Sequence, residues 1–298
     1  MVCGHSVEVE EKFSHISNRH PCFSGAANMN RGRVHLPVSP ACNIQCRFCR
    51  RDFNKTEQRP GVSAGILRPE EAAGLVERAL EICPEITVAG IAGPGDTLAT
   101  YHALQTFELS HRAHPELINC LSTNGLLLER YADDIFRAGV RTLTVTVNAV
   151  DPLILDQICS QVMLDGKTYT GPEGAAMLIE AQKRGIQKAA ALGLLIKINI
   201  VLIPAVNGKH IGEIARTAAG LGAGLINIIP LIPQFEFAGT PPPDCVELAQ
   251  AREAAEAYLP VFRHCQHCRA DACGIPGRGD LSALLYGGRQ FAETFSHG

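Results

Sequence analysis

Six short apolar runs rich in β-branched residues alternate along this chain with stretches of helical period, and that alternation constrains the fold more than any other feature. The runs are Val34–Ser39, Ile86–Ala92, Leu117–Ser122, Thr142–Asn148, Leu194–Ile203 and Leu225–Ile232. Between them, Pro69–Ile82 opens with proline at an early helical position followed by Glu70 and Glu71, a good helix start. Leu128–Ala138 stops at Gly139, Pro172–Leu192 and His210–Leu221 fill later crossovers, and Gly222 closes the last of these. Strands joined by helical crossovers pair in parallel. The sequence therefore predicts an α/β fold. Six units are too few to close an eight-fold barrel, so a partial (β/α)6 barrel is expected, with its ligands at the carboxyl ends of the strands.

The barrel is expected over residues 34–232. Residues 1–33 lack periodicity and read as an irregular N-terminal extension. Residues 233–298 begin with the proline-rich Pro233–Pro243, continue as a helix from about Asp244 to Phe262, and reach a cysteine-rich tail, Arg263–Gly277. Aromatics make up only 5% and tryptophan is absent, so the core must be aliphatic, as parallel sheets usually are. Net charge is −3 with no basic block, which argues against a nucleic-acid footprint. The chain opens on a polar, acidic segment and contains no long apolar run, so a soluble, cytoplasmic protein with no membrane partner is expected. In a reducing compartment, twelve cysteines read better as metal ligands than as disulfides.

Cys42, Cys46 and Cys49 form a tight loop directly after the first predicted strand. Three thiolates hold three irons of a cubane cluster and leave the fourth iron open. Zinc is the competing reading, but a structural zinc site wants four ligands, usually in two paired spacings. This spacing, with Phe48 just before the third cysteine, resembles the radical S-adenosylmethionine superfamily. The resemblance implies a catalytic [4Fe–4S] cluster on Cys42, Cys46 and Cys49. Its open iron would chelate S-adenosylmethionine, and reductive cleavage would release a 5′-deoxyadenosyl radical. Further marks of the superfamily fall in order. Gly90–Asp96 resembles the glycine-rich turn that binds the methionine amino group, which places Gly93 and Asp96 there, with aspartate in place of the commoner glutamate. Ser122–Gly125 resembles another mark and brings in Asn124. Thr144, Thr146 and Asn148 alternate onto one strand face and could bond ribose hydroxyls. Ile196 and Ile198 could pack on adenine, with plain core an equal reading.

The remaining cysteines narrow the family. His20-Pro-Cys22, Gly32–Val38 with His35, the three-cysteine loop, Arg59–Val62, Thr146–Pro152 and Cys268-Arg-Ala-Asp-Ala together resemble the nitrogenase cofactor maturases of the NifB family, in a short form without a carrier-like carboxyl-terminal domain. This resemblance runs over nearly the whole chain. It implies fusion of two [4Fe–4S] substrate clusters, with a carbide from the S-adenosylmethionine methyl group and an added sulfur, into an eight-iron cofactor precursor. Cys22, Cys265 and Cys268 would hold one substrate cluster, and His35 with Cys120 the other. Expected partners are cluster-delivery proteins, cofactor carriers and an electron donor such as a ferredoxin. One departure stands out. Several relatives carry a further cysteine shortly after the radical loop, where this chain reads Arg50-Arg-Asp-Phe-Asn54-Lys. Arg50, Arg51, Lys55 and Arg59 read either as electrostatic support for anionic clusters or as a solvated loop. Cys273 is an extra tail cysteine, and Cys3, Cys83, Cys159 and Cys245 fit core or surface positions. The alternative readings are another radical enzyme with auxiliary clusters, resembling molybdenum cofactor synthesis or peptide modification, and a passive iron–sulfur scaffold.

Overall fold

Each of the six apolar runs forms a parallel strand in the computed structural model, which describes residues 13–50 and 52–287. The elements in chain order are α1 (residues 13–17), α2 (Gly25–Asn30), β1 (Gly32–His35), β2 (Ile44–Cys46), α3 (Pro69–Ile82), β3 (Ile86–Ile91), α4 (His102–Ala113), β4 (Ile118–Thr123), α5 (Leu128–Arg137), β5 (Val140–Thr146), α6 (Pro152–Asp156), β6 (Cys159–Leu164), β7 (Lys167–Tyr169), α7 (Gly171–Ala191), β8 (Leu195–Leu202), α8 (Pro204–Asn207), α9 (Ile211–Gly220), β9 (Leu225–Pro230), α10 (Cys245–Glu256), β10 (Cys273–Gly274) and α11 (Ser282–Tyr286). The main sheet runs β10-β1-β3-β4-β5-β8-β9, parallel throughout except for β10, which caps the β1 edge in antiparallel fashion. This is the curled half-barrel of the sequence reading.

Alternation along the strands separates two faces. Val34, Ala89, Leu121, Leu143, Ile196 and Ile226 point outward into one aliphatic core shared with Leu75, Phe107, Ile135, Ile186 and Ile214 of the crossover helices. The opposite, concave face carries Arg33, His35, Cys120, Thr142, Thr144 and Lys197 (by alternation with those residues). Val88, Ile118 and Leu195 share that face and pack with Phe23. The concave face thus joins a small apolar patch to polar and cysteine side chains, where the convex face is aliphatic throughout, a division that suits a site inside the half-barrel.

Three elements depart from the sequence reading. The crossover between β3 and β4 is a helix, α4, that no start signal announces: its N-cap, Tyr101, makes no side-chain capping bond. Residues 159–169 form a hairpin, β6–β7, whose Asp165-Gly166 turn holds φ of 51° and 75°, the pair of positive values a two-residue hairpin turn requires. The helix expected from Asp244 to Phe262 ends at Glu256, short of Pro260, and Val261 then bridges to Ile226. Asp244 starts it with a capping box to Glu247.

The hairpin matters because β2, inside the three-cysteine loop, pairs antiparallel with β6: Ile44 with Val162 and Cys46 with Cys159. From the other side, the turn after β3 closes on the same loop. Gly95 donates to the Ser39 carbonyl at 2.9 Å and Asp96 to the Ala41 carbonyl at 2.8 Å. A Cβ on Gly95 would lie 2.0 Å from the Ala41 oxygen, so only glycine lets the two backbones meet. Backbone cannot rotate away from such a clash. Gly95→Ala is therefore expected to destabilise the fold by about 3 kcal/mol, read as a lower urea midpoint at unchanged m-value.

Candidate metal centre

The three-cysteine loop is held by its neighbours on both sides. Ile44 is buried in a satellite core with Leu126, Ile158 and Val162. The Gln45 side chain donates to the Cys46 and Cys49 carbonyls at 3.0 and 3.3 Å, and Cys49 N–H returns to the Cys46 carbonyl at 3.0 Å. Asn124 Nδ2 donates to Asn43 Oδ1 at 2.6 Å and lies 3.9 Å from Cys42 Sγ. A hydrogen bond with Cys159 raises the Cys46 thiol well above its ordinary range, with burial and the neighbouring Cys49 and Cys42 adding to this. The three cysteines therefore stand within electrostatic reach of one another, and Cys159 is a fourth neighbour that spacing alone did not reveal.

The residues expected around S-adenosylmethionine divide into three kinds. Gly93 sits at φ 123°, packed 3.3 Å (by its notional Cβ) from Gly61 Cα, and Thr144 is buried on the concave face. Asp96 and Asn148 are buried and engaged with the scaffold. The Asp96 carboxylate accepts from Leu98 N–H at 3.0 Å, Thr123 Oγ1 at 3.0 Å and Asn124 N–H at 2.5 Å, which ties the turn after β3 to the end of β4. Asn148 Oδ1 accepts from Val201 N–H at 2.9 Å, and its carbonyl from Asn207 Nδ2 at 3.0 Å. Ile196 requires a correction. It lies with Ile198 in the convex core, so neither faces the cavity; Lys197 and Asn199 are the inward residues of β8. The run Leu194–Ile203 is apolar on nearly every residue, and only those two polar side chains set its parity.

A second group of candidate ligands gathers on the concave face. Cys268 and Cys120 both act electrostatically on Cys22, as do Lys197 and Arg33. Arg33 donates to Cys268 Sγ at 3.0 Å, and Lys197 Nζ to the Cys22 carbonyl at 3.1 Å. Burial pushes the Cys22 thiol up to about 12, and the neighbouring thiols of Cys268 and Cys120 push the same way against Lys197 and Arg33. Burial also raises Cys120, against a hydrogen bond from Thr142. His35 falls to about 4, through burial first and Arg33 second. Its Nδ1 lies 2.9 Å from the Arg269 carbonyl, an acceptor only, so Nδ1 carries the proton and Nε2 keeps a free lone pair. Cys265 is partly exposed three residues before Cys268. Cys273 is buried on β10 opposite Val34, hence on the convex side with Cys83 and away from the cavity. Cys3 and Arg51 fall outside the described residues.

Arg33 and Lys197, exposed by only 5% and 6%, are the cations that sequence reasoning missed. Among the described residues neither pairs with a carboxylate, and Lys197 lies 4.8 Å over Phe23 and 5.5 Å over Phe262. Two members of the basic cluster after the three-cysteine loop, Arg50 and Arg59, are neutralised locally. Arg59 is buried against Asp52 and Glu57 at 2.8 and 2.7 Å, and Arg50 pairs with Asp52 at 2.9 Å. Asn54 is likewise committed to its own loop, its Oδ1 accepting from Thr56 N–H and Glu57 N–H at 2.8 Å each.

The donor chemistry fits iron–sulfur clusters. Among the described residues no three His, Cys, Asp or Glu side chains converge as they would around a single metal ion. A cubane makes no such demand, since each of its irons needs only one thiolate. A family model described as the radical SAM superfamily matches residues 36–218. The FeMo cofactor biosynthesis protein NifB of Methanocaldococcus infernus is 47% identical over 90% of this chain and 89% of its own length. Its counterpart in Methanocaldococcus jannaschii is 47% identical over 89% of this chain and 88% of its own.

This chain belongs to the NifB family of the radical SAM superfamily.

A longer NifB, from Klebsiella pneumoniae, is 42% identical over 87% of this chain and 57% of its own length. The crystal structure of methylornithine synthase covers 96% of this chain and 84% of its own at a TM-score of 0.53 and 13% identity, a likeness of fold alone. No helix among the described residues is long and apolar enough to cross a membrane. The buried Asp96 carboxylate now has a scaffold role within the NifB fold. Asp96→Ala strands two backbone N–H groups and is expected to cost about 3 kcal/mol by urea unfolding, with Asp96→Asn milder. Ile196→Val is expected to cost about 1 kcal/mol and to leave S-adenosylmethionine affinity by calorimetry unchanged, as a convex core position should.

Proposed function

We propose that this chain is a radical enzyme of FeMo cofactor biosynthesis that fuses two [4Fe–4S] substrate clusters, with a methyl-derived carbide and an added sulfur, into the eight-iron precursor. The observation that carries this reading is the second set of ligands. Cys22, Cys120, Cys268 and His35 lie apart from the Cys42–Cys49 loop, beside two buried cations that have no carboxylate partner among the described residues. A single-cluster radical enzyme has no use for them. Buried cations are stable only when paired, and anionic clusters would supply the missing charge.

Cys42, Cys46 and Cys49 would hold the catalytic cluster, with Gly93, Asn124 and Thr144 near its S-adenosylmethionine. When bound, these groups supply a methyl donor and the reductive cleavage that yields a 5′-deoxyadenosyl radical. Cys22, Cys265 and Cys268 would bind one substrate cluster. The thiols of Cys22 and Cys120 are held protonated by their surroundings, so cluster uptake must displace their protons, with Lys197 and Arg33 favouring the thiolates. His35 presents Nε2, with Nδ1 fixed by the Arg269 carbonyl, and a Cβ on Gly90 would come within 3.4 Å of that nitrogen, so glycine keeps the space beside it open. No cysteine stands in the stretch after the radical loop where several relatives carry one, and Asn54 there is bonded to its own loop, which leaves His35 and Cys120 as a two-residue hold on the other cluster. A loosely held substrate is easier to release for fusion. Cluster-delivery proteins, a cofactor carrier and a ferredoxin-type donor are the partners this chemistry requires.

Anaerobically reconstituted protein is expected to hold about twelve irons per chain, as three cubanes. Changing Cys42, Cys46 and Cys49 together to alanine should remove only one cubane by iron analysis and paramagnetic resonance. With methyl-labelled S-adenosylmethionine and reductant, label should appear in an acid-resistant iron–sulfur product. Iron equivalent to one cubane, or release of 5′-deoxyadenosine with no label in the cluster, would instead favour a different auxiliary-cluster radical enzyme.

A further inference from the structure

His20 is buried to 1% exposure two residues before Cys22, and the reading above gives it no task. Its ring is fixed on one side. Nδ1 accepts the Cys22 backbone N–H at 3.1 Å, and the ring packs edge-on against Phe23 with centroids 4.4 Å apart. A nitrogen that accepts from an N–H carries no proton in the neutral ring, so the proton sits on Nε2. Nε2 is itself buried and has no hydrogen-bond partner among the described residues. An orphaned buried N–H forfeits the hydrogen bond it would make in water, so native proteins seldom keep one without a use.

We infer that His20 donates a hydrogen bond from Nε2–H to a sulfide of the substrate cluster held at Cys22, acting as a positioning residue and not as an iron ligand. The inference rests on the cluster-binding role proposed for Cys22, Cys265 and Cys268. It follows from a contrast between two imidazoles on one face. In His35 the Nδ1 partner is a carbonyl, so Nε2 has a lone pair to offer iron. In His20 the Nδ1 partner is an amide N–H, so Nε2 has only a proton to offer. The same ring therefore serves as ligand in one place and as donor in the other. The donor also couples the ligand's backbone to its cargo: the Cys22 N–H orients the ring, and the ring orients the cluster bound by the Cys22 thiolate. Hydrogen bonds to cluster sulfur favour the reduced, more negative state and raise the potential.

The test uses the full chain, reconstituted anaerobically, with His20→Phe as the variant without a donor and His20→Gln as the variant that keeps one. The cluster in question is the one lost in Cys22→Ala. In His20→Phe its midpoint potential, followed by paramagnetic resonance, should shift to more negative values, and its iron should pass to a chelator several-fold faster. His20→Gln should recover part of both effects. Cleavage of S-adenosylmethionine by the Cys42–Cys49 cluster should not change. Wild-type protein labelled with ¹⁵N-histidine should show strong nitrogen coupling only at the cluster that depends on His35. An unchanged potential and chelation rate in His20→Phe, or a strong nitrogen coupling that vanishes in it, would overturn the inference. Failure of both variants to take up the Cys22-dependent cluster would also overturn it, since the glutamine retains the donor, whereas uptake by the glutamine variant alone supports it. If no cluster in the wild type depends on Cys22, the underlying reading fails, and it does so whatever stands at residue 20.

Discussion

The contact on which the site depends is the meeting of the turn after β3 with the three-cysteine loop. Gly95 approaches the Ala41 carbonyl more closely than any side chain permits, and Asp96 then bonds the same carbonyl through its N–H. The Asp96 carboxylate, buried, reaches on to Thr123 and Asn124 at the end of β4. Asn124 in turn grips Asn43 inside the loop. Burying a carboxylate costs several kcal/mol unless its oxygens are hydrogen-bonded. Here three donors meet that demand, and in doing so they lock β1, β3 and β4 to the one segment that carries Cys42, Cys46 and Cys49. The β2–β6 pairing secures the loop from its far side, so the cysteines gain a rigid seat although most of the loop lies outside regular structure.

The concave face poses a different physical problem. Arg33 and Lys197 are desolvated, and their contacts are carbonyls, aromatic rings and a thiol rather than carboxylates. The thiol of Cys22, nearby, is driven toward the neutral form. The substrate cluster proposed for this face would bring the negative charge that the two cations lack, and its irons would take the thiols as thiolates.

Much of this was legible in the sequence. The six strands announce themselves by β-branched runs, and the radical loop by spacing. What escaped has identifiable causes. Helix α4 lacks a capping side chain, so its start leaves no mark. The Asp165-Gly166 turn was a readable hairpin signal, but β6 and β7 alternate weakly and one strand of their sheet is hidden inside the cysteine loop. Ile196 stayed open between adenine contact and core because a parallel strand is apolar on both sides; the parity lay in Lys197 and Asn199. The basic run after Cys49 stayed open between two readings because Asp52 and Glu57, the partners of Arg50 and Arg59, lie among the same residues and their pairing is a matter of geometry.

The tail motif Cys268-Arg-Ala-Asp-Ala gains a physical explanation from the same geometry. Arg269 and Asp271 form a buried ion pair at 2.8 Å. Arg269 also donates to the carbonyls of Glu57 and Asn54, and Asp271 accepts from Ala64 N–H at 2.7 Å. The pair clamps the tail to the loop after the radical cysteines. Once clamped, the Arg269 carbonyl meets His35 Nδ1, and Cys268 meets Arg33. Neither Arg269 nor Asp271 needs to touch a cluster. Their work is to bring a carboxyl-terminal cysteine and an amino-terminal histidine to one face, and to fix the proton of that histidine on Nδ1, which leaves Nε2 for the proposed cluster. Five residues beyond Cys268 the chain has already crossed to pair with β1, which carries Cys273 to the convex core. Two cysteines so close in sequence therefore have unlike environments, and the buried pair between them is what divides the two.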